Sequence, residues 1–447
     1  MKRCLHSIWN RTPKQLLHEI ILIDDMSSQK DLHENIKNYA AENFGAKIKL
    51  FRNVERMGLI RTRLDGARKA TGEVILFLDS HMEVNVNWLP PLLEPIRINP
   101  QTISVPILDA FSPFTLEYEP IGHGTRGGFD WGLNFKWMPM RPQDVASSPD
   151  PFEYPVMTGG GYAIRKDYFF ELGGYDEGMM IWNGENYEMS FKVWLCGGRM
   201  VQVPCSHVAH SSKLSTKYKS VDYGFDYSAR NLKRVAEVWM DDYKKELYKS
   251  DPKRYRNVDA GDLTKAFELK KKLNCKPFQY FLETVAPEIC ERYTPESWGN
   301  FASGSIISDA KPSLCITFMF RTYEEPLELT DCSSNLVYPG WSHFFIFTWN
   351  RFIKYNDASW KCIDSVDMNL LGCDFKFDHQ FWKYDLKTHQ ILNPRVNECI
   401  TAQIDTKKLS VQHCNDTDIN QKFTWGYLNT TAFENWETYG AKMPKTR

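Results

Sequence analysis

A chain of 447 residues, 42% of them hydrophobic, can bury more than one core, and two or three domains are expected. With 55 Lys and Arg against 56 Asp and Glu the formal charge is -1 and no basic stripe stands out, so nothing predicts a nucleic-acid groove. There is no run of about 18 apolar residues, and the opening "MKRCLHSIWNRTPKQ" lacks the apolar stretch of a secretory signal, so as written nothing inserts the chain in a membrane.

From Ile20 onward short apolar runs alternate with amphipathic segments. "EIILIDD" (19–25) reads as a strand, a polar stretch from Asp31 to Phe44 as a helix, and "KIKLFRN" (47–53) as a strand. "LIRTRLDGARKA" then reads as a helix and "EVILFLD" (73–79) as a strand. This pattern predicts a parallel α/β sheet with helices on its faces, whose ligands sit at the carboxyl ends of the strands. Two acidic strand ends are therefore of interest, Asp24-Asp25 and Asp79-Ser80-His81.

A middle section rich in Gly and Trp follows, including "TRGGFDWGLNFKWMP" (125–139), "MTGGGYAI" (157–164), "WNGENYEMSF" (182–191) and "VPCSHVAHSS" (203–212). Glycines permit close backbone approach and exposed aromatic rings offer flat faces to sugars or peptides, so this region is the expected cleft. Beyond residue 313 the texture changes to short strands with a weak repeat. Cys315-Ile-Thr, Cys362-Ile-Asp and Cys399-Ile-Thr each open a unit that runs to a second Cys, at 332, 373 and 414, and then to an aromatic.

The 11 cysteines are uneven: Cys4, then Cys196 and Cys205, then eight from Cys275 to Cys414. The short-range pairs Cys315 with Cys332, Cys362 with Cys373 and Cys399 with Cys414 read as loop staples of an oxidising compartment. Three sequons, at Asn10, Asn415 and Asn429, agree with that address, although Pro13 makes the first a poor acceptor.

Asp79 and His81, two apart on an extended segment, offer an oxygen and a nitrogen to one cation, a mixture that suits Mn better than Ca. Taken alone, a helix cap at Asp79 and a packed His81 are the better explanation of the pair. His207 and His210 in "CSHVAH" both offer a third ligand. Glu185 and Asn186, emerging from a glycine turn, suit hydrogen bonds to sugar hydroxyls; a helix cap is an equal alternative. In "RMGLIRTRLDGA", Arg56, Arg61 and Arg63 surround a glycine before a helix and suit phosphate or a strand-end Asp. For Arg63 and Arg68 a solvated helix face is the preferred reading.

Together "EIILIDD", "RMGLIRTRLDGA", "VILFLDSH", "WLPPLLEPI", "GGFDWGLNFKW", "GGYDEGMMIWNGENYEMSFKVWLCGG", "CSHVAH" and "CKPFQYFLE" resemble one family, the polypeptide N-acetylgalactosaminyltransferases. The tail resembles the ricin-type β-trefoil lectin domain that such enzymes carry. The resemblance implies an α/β GT-A catalytic domain over 1–286, a linker over 287–311, an all-β lectin domain over 312–430 and a tail over 431–447. It implies retaining transfer of GalNAc from UDP to Ser or Thr of a polypeptide, with Mn2+ held by Asp79, His81 and His210. Asp24, Asp25, Arg61 and Lys213 would line the nucleotide side. Gly159, Gly160, Glu185, Asn186 and Trp194 would face the donor sugar, and Phe135 and Trp137 the acceptor groove. Asp364 would bind GalNAc, on a glycopeptide, in the middle lectin lobe, where the outer lobes have Thr317 and Thr401. Cys196 would pair with Cys275, and the address would be the Golgi lumen, as a type II membrane protein.

Against the family's pattern the chain starts inside the first helix, so the catalytic domain is expected to lack its first strand, and the anchor and stem with it. Ser212 and Lys213 stand where the family has Phe and Arg in a loop after the metal histidine, and Asn183 replaces a glycine. A catalytically weak or inactive member that binds GalNAc-peptides or a partner is the alternative expectation.

Overall fold

The computed structural model describes residues 1–112, 115–120, 125–211, 224–293, 300–319, 326–332, 341–348, 351–355, 361–366, 368–373, 378–394 and 396–434. Two compact units divide at Pro287 and Glu288.

The first unit opens with helix α1 (Lys2–Arg11), which lays Cys4 and Ile8 into a core shared with Met82, Val84, Trp88 and Leu92. Strand β1 (Ile20–Asp24), helix α2 (Leu32–Phe44) and strand β2 (Ile48–Arg52) follow; β1 and β2 pair in parallel, from Ile20 against Ile48 to Asp24 against Arg52. Helix α3 (Leu59–Lys69) starts at Gly58, whose φ is +82 and whose added Cβ would lie 2.3 Å from the Ile181 Cα, so only glycine fits this junction.

Strands β3 (Val74–Leu78) and β4 (Met82–Val84), helix α4 (Leu89–Ile98) and strand β5 (Thr102–Phe111) build the main sheet, with β6 (Tyr118–Glu119) on its margin. A hairpin of β7 (Thr125–Phe129) and β8 (Phe135–Pro139) stands apart as its own sheet, followed by α5 (Pro142–Ala146) and β9 (Phe152–Glu153). Strand β10 (Gly161–Arg165), helices α6 (Lys166–Glu171) and α7 (Glu185–Leu195), strand β11 (Arg199–Ser211) and helix α8 (Tyr227–Trp239) complete the elements that frame the site. The strand order is β3-β10-β5-β11-β4.

This sheet is mixed, where the alternating pattern predicts a parallel one. β5 and β11 are parallel, but β10 runs antiparallel to both β3 and β5, and β4 antiparallel to β11. Apolar periodicity reports which face of a strand is buried, not its direction, and the long excursion through β7 and β8 lets β10 enter reversed.

The sheet is also interrupted. β1 pairs only with β2 and β3 only with β10, so among the described residues no strand occupies the second edge of either. Ile20, Ile21, Leu22 and Ile23 are accordingly only half-buried, although an apolar run of this kind is ordinarily sealed on both faces. A polar stitch holds the ribbon to the main sheet: Glu19 accepts from the Thr71 N–H at 2.6 Å and the Thr71 hydroxyl at 3.0 Å, and pairs with Lys49 at 2.5 Å.

Helix α7 is buried on every side, including Glu185, Asn186, Glu188 and Lys192. Its charges are paired rather than solvated: Lys192 pairs with Glu188 and donates to the Gly174 carbonyl at 2.7 Å. Cys196, at its end, is disulfide-bonded to Cys275.

The second unit is all β around a core containing Ile306, Ile316, Phe345, Ile363, Trp382, Ile400 and Trp425. Three antiparallel hairpins, Leu314 to Asp331, Lys361 to Gly372 and Glu398 to His413, are each closed by a disulfide, Cys315–Cys332, Cys362–Cys373 and Cys399–Cys414. Trp382 is fully buried and donates to the Ile363 carbonyl at 2.9 Å, a packing role. The repeat, the staples and the core are those of a β-trefoil.

Candidate active site

Strand β3 ends at Leu78, and the turn that follows, closed by the Met82 N–H on the Asp79 carbonyl at 3.2 Å, presents Asp79 and His81 on the sheet's carboxyl edge. His210, near the end of β11, lies opposite Met82 in the adjoining register. The three side chains converge: donor atoms of Asp79, His81 and His210 all lie within 4.8 Å of one another, and Asp79 Oδ2 is 3.4 Å from His210 Nε2 and 4.0 Å from His81 Nε2. Burial works to raise the Asp79 pKa, but the His210 hydrogen bond and the Arg63 charge prevail and hold it below the usual carboxylate range. One carboxylate oxygen and two imidazole nitrogens, all partly exposed, form a donor set that fits Mn2+ or a similar borderline divalent ion.

His207 is not part of the cluster. Its Nδ1 is 2.8 Å from Asp109 Oδ2, which also accepts from the Tyr118 hydroxyl at 2.7 Å. Three residues apart on one strand, His207 and His210 face opposite sides, and only the latter faces Asp79.

The sequence favours a solvated helix face for Arg63, and here the structure differs. It is almost fully buried, donates to Asp79 Oδ1 at 2.7 Å and to the Gly159 carbonyl at 2.6 Å, and so ties a metal-ligand candidate to the glycine backbone beside it. The signal was available: Ile60, Leu64 and Ala67 are the buried stripe of α3, and Arg63 falls on that stripe at i+3 from Ile60. Arg68, at the flank of the stripe, is exposed and pairs with Glu177.

Gly159 and Gly160 form a wall shared by two groups of side chains. A Cβ on Gly160 would lie 2.8 Å from Met82 and 3.9 Å from the His210 ring, and a Cβ on Gly159 3.2 Å from Asn186 and 3.7 Å from Glu185 Oε1. Across this wall, Asn183 (φ +79) and Gly184 (φ +98) turn the chain into α7 and set Glu185 at its start. Asn183 thus takes the left-handed conformation that Asn tolerates, with its side chain donating to the Ser228 hydroxyl at 2.8 Å. Glu185 is 4% exposed, and its Oε2 is buried with no hydrogen-bond partner among the described residues. Burial raises its pKa, against the opposing pull of backbone N–H groups and Arg63. Asn186 donates to the Met157 carbonyl at 3.2 Å, fixing the start of the helix to the strand run beside it.

The other candidates spread outward. Asp25 is committed to the turn before α3, accepting from the Met57 and Gly58 N–H groups, both at 2.8 Å. Asp24 accepts from the Ser27 N–H at 2.9 Å and pairs with Arg52 at 3.0 Å. Arg61 donates to the Met179 and Glu177 carbonyls, both at 3.2 Å, while Arg56 is exposed and makes no bond among the described residues. Phe135 and Trp137 pack edge to face on β8 with centroids 4.9 Å apart, Trp137 half exposed. Trp194 is not brought to the site: it sits near the far end of α7, 6% exposed, donating to the Tyr154 carbonyl at 3.3 Å. Lys213 lies outside the described residues.

In the second unit, Asp364 is fully buried; its Oδ2 is 2.6 Å from His379 Nδ1 and accepts from Gln380 Nε2 at 3.0 Å. Thr401 occupies the corresponding place in the last lobe, where its hydroxyl meets Gln421 Nε2 at 3.3 Å.

Residues 1–173 match the family described as Glycosyl transferase family 2, residues 145–216 the N-terminal domain of galactosyltransferase, and residues 302–423 the Ricin-type beta-trefoil lectin domain. N-acetylgalactosaminyltransferase 4 of Drosophila melanogaster is 38% identical over 97% of this chain and 69% of its own length. Polypeptide N-acetylgalactosaminyltransferase 10 of Rattus norvegicus is 39% identical over 97% of this chain and 73% of its own. Among solved structures, GalNAc-T7 with UDP, GalNAc and Mn2+ is similar with a TM-score of 0.63 and 32% identity, over 95% of this chain and 78% of that one.

Proposed function

Because the chain belongs to the polypeptide N-acetylgalactosaminyltransferase family, we propose that it transfers GalNAc from UDP-GalNAc to Ser and Thr hydroxyls of polypeptides with retention of configuration, using Mn2+ held by Asp79, His81 and His210. The observation that carries this reading is the convergence of those three donors within 4.8 Å at a strand's carboxyl end, one glycine wall away from the unpartnered Oε2 of Glu185. When bound, the ion supplies Lewis-acid stabilisation of the departing diphosphate.

The chain's own residues do the rest. Arg63 holds Asp79 and the Gly159 carbonyl in one arrangement. Glu185, set at the start of α7 beside Gly159, hydrogen-bonds a donor-sugar hydroxyl and holds the sugar in place. Gly159 and Gly160 let the sugar approach the backbone. Arg56 meets phosphate, and Phe135 and Trp137 line the acceptor peptide. Glu185 positions and stabilises rather than attacks, because the acceptor hydroxyl is the nucleophile and a donor phosphate oxygen takes its proton.

Asp364, with His379 and Gln380, binds GalNAc already present on a glycopeptide, and the enzyme works in the Golgi lumen. A weakly active member whose main task is glycopeptide binding is the second reading, supported by the lectin-type lobe in which Gln380 and His379 meet Asp364. Purified protein incubated with UDP-GalNAc, Mn2+ and a Ser/Thr peptide panel, with Asp79→Ala as control, separates the two. Transfer that Asp79→Ala abolishes supports the enzyme; absence of transfer from folded protein overturns it.

A further inference from the structure

Of the three sequons, one has the geometry of a carrier. Asn10 is within α1, and the hydroxyl of its Thr12, a residue 4% exposed, accepts the Trp88 indole N–H at 3.1 Å. Asn429 caps the helix Thr430–Glu434, its Oδ1 accepting from the Ala432 N–H at 3.1 Å, so its sequon threonine lies in that helix's first turn. Asn415 is exposed, and its Oδ1 accepts from both the Thr417 N–H at 3.1 Å and the Thr417 hydroxyl at 2.8 Å. This is an Asx-turn that sets the sequon's hydroxyl against the amide and leaves Nδ2 without a hydrogen-bond partner among the described residues. The loop beneath is rigid: the Asn415 N–H donates to Gln421 Oε1 at 2.7 Å, and its carbonyl accepts from Gln390 Nε2 at 3.1 Å and from the Asp418 N–H at 3.0 Å.

The position within the lobe adds to this. Gln380 of the middle lobe donates to Asp364 and to the Gly372 carbonyl; its counterpart Gln421 donates to Thr401 and to the His413 carbonyl. The last lobe thus keeps the frame of the middle one without its carboxylate, and Asn415 stands at the rim of that frame.

We propose that Asn415 is an N-glycosylation site, so that the last lobe carries a saccharide where the middle lobe is built to hold one. In the step, Asn415 Nδ2 forms a bond to the anomeric carbon of a polyprenyl-diphosphate-linked oligosaccharide. The anomeric C–O bond breaks, the polyprenyl diphosphate leaves with the electron pair, and the amide nitrogen loses a proton to a base of the transferring enzyme. The inference rests on passage through a secretory lumen, not on the transfer activity.

The test is secretion of the full chain behind a cleavable signal from a eukaryotic host, followed by peptide mapping with enzymatic deglycosylation in heavy-oxygen water. The expected result is conversion of Asn415 to labelled Asp, with a gel shift lost in Asn415→Gln and in Thr417→Ala and kept in Asn10→Gln and Asn429→Gln. A secreted chain with Asn415 unmodified overturns the proposal, whatever happens at the other two. The wild-type map decides this even where a variant fails to fold, and because the host supplies lumenal passage, failure leaves the catalytic reading untouched.

Discussion

Arg63 shows what one side chain does to a site built from three others. Its guanidinium is shared between Asp79 Oδ1 and the Gly159 carbonyl, a planar fork that a lysine ammonium cannot reproduce. Arg63→Met is expected to weaken Mn2+ binding about 10-fold to 100-fold, the usual cost of losing a partner behind a metal ligand. Arg63→Lys should recover only part of it. Electron paramagnetic titration of free Mn2+ against the protein reads this without turnover, and unchanged affinity in both variants would rule the role out. An arginine's charge points to solvent, but its place beside Ile60, Leu64 and Ala67 on the buried stripe of α3 points inward, and the periodicity prevails. His210 is a different case. Spacing named it and His207 together, and the choice turns on which face each presents, in a strand whose register against β5 shifts between Val203 and His207. A bulge of that kind has no period-2 trace.

At the scale of elements, the alternation of strand and helix and the acidic strand ends were legible, while the strand directions and the fate of α7 were not. Every residue of "ENYEMSFKVWL" is buried, polar ones included, because Glu188, Lys192 and Ser190 find partners inside. Trp194 consequently packs in the interior instead of reaching the site. The polar stitch at Glu19 carries a prediction of its own. Its unfolded pKa is near 4.5; burial pushes it up, but Lys49 and the two Thr71 donors bring it down to about 2. A depressed carboxylate stabilises the fold fully above about 4.5 and loses that contribution as the pH falls toward about 2. Glu19→Gln should therefore melt below the wild type at pH ~7, with the gap narrowing by pH ~3 in thermal scans; a gap constant with pH would show that Glu19 does not tie β1 to the main sheet through its charge.

The whole molecule is two units with separate cores, and its stability should be separable in the same way. Calorimetry is expected to show two transitions. Replacing Cys399 and Cys414 together by Ala opens a loop with a sequence separation of 15, worth about 3 kcal/mol, and should lower one transition while leaving the other in place. Asp364→Ala should abolish binding of a GalNAc-bearing peptide by isothermal titration and leave transfer to an unmodified peptide unchanged; loss of both would mean that the fold of that lobe, not its carboxylate, was at stake. Three lobes were legible from cysteine spacing because a disulfide closes each hairpin, whereas the break in the sheet of the first unit had only a resemblance to point to it. That break has a consequence for handling the protein. The margins of "IILI" and "VILFL", unpaired among the described residues, carry no lysine, proline or bulge to discourage pairing, so each is a template onto which a second molecule can add a strand. Aggregation with a steep dependence on concentration, below the temperature at which either core melts, is the expected outcome in light-scattering scans.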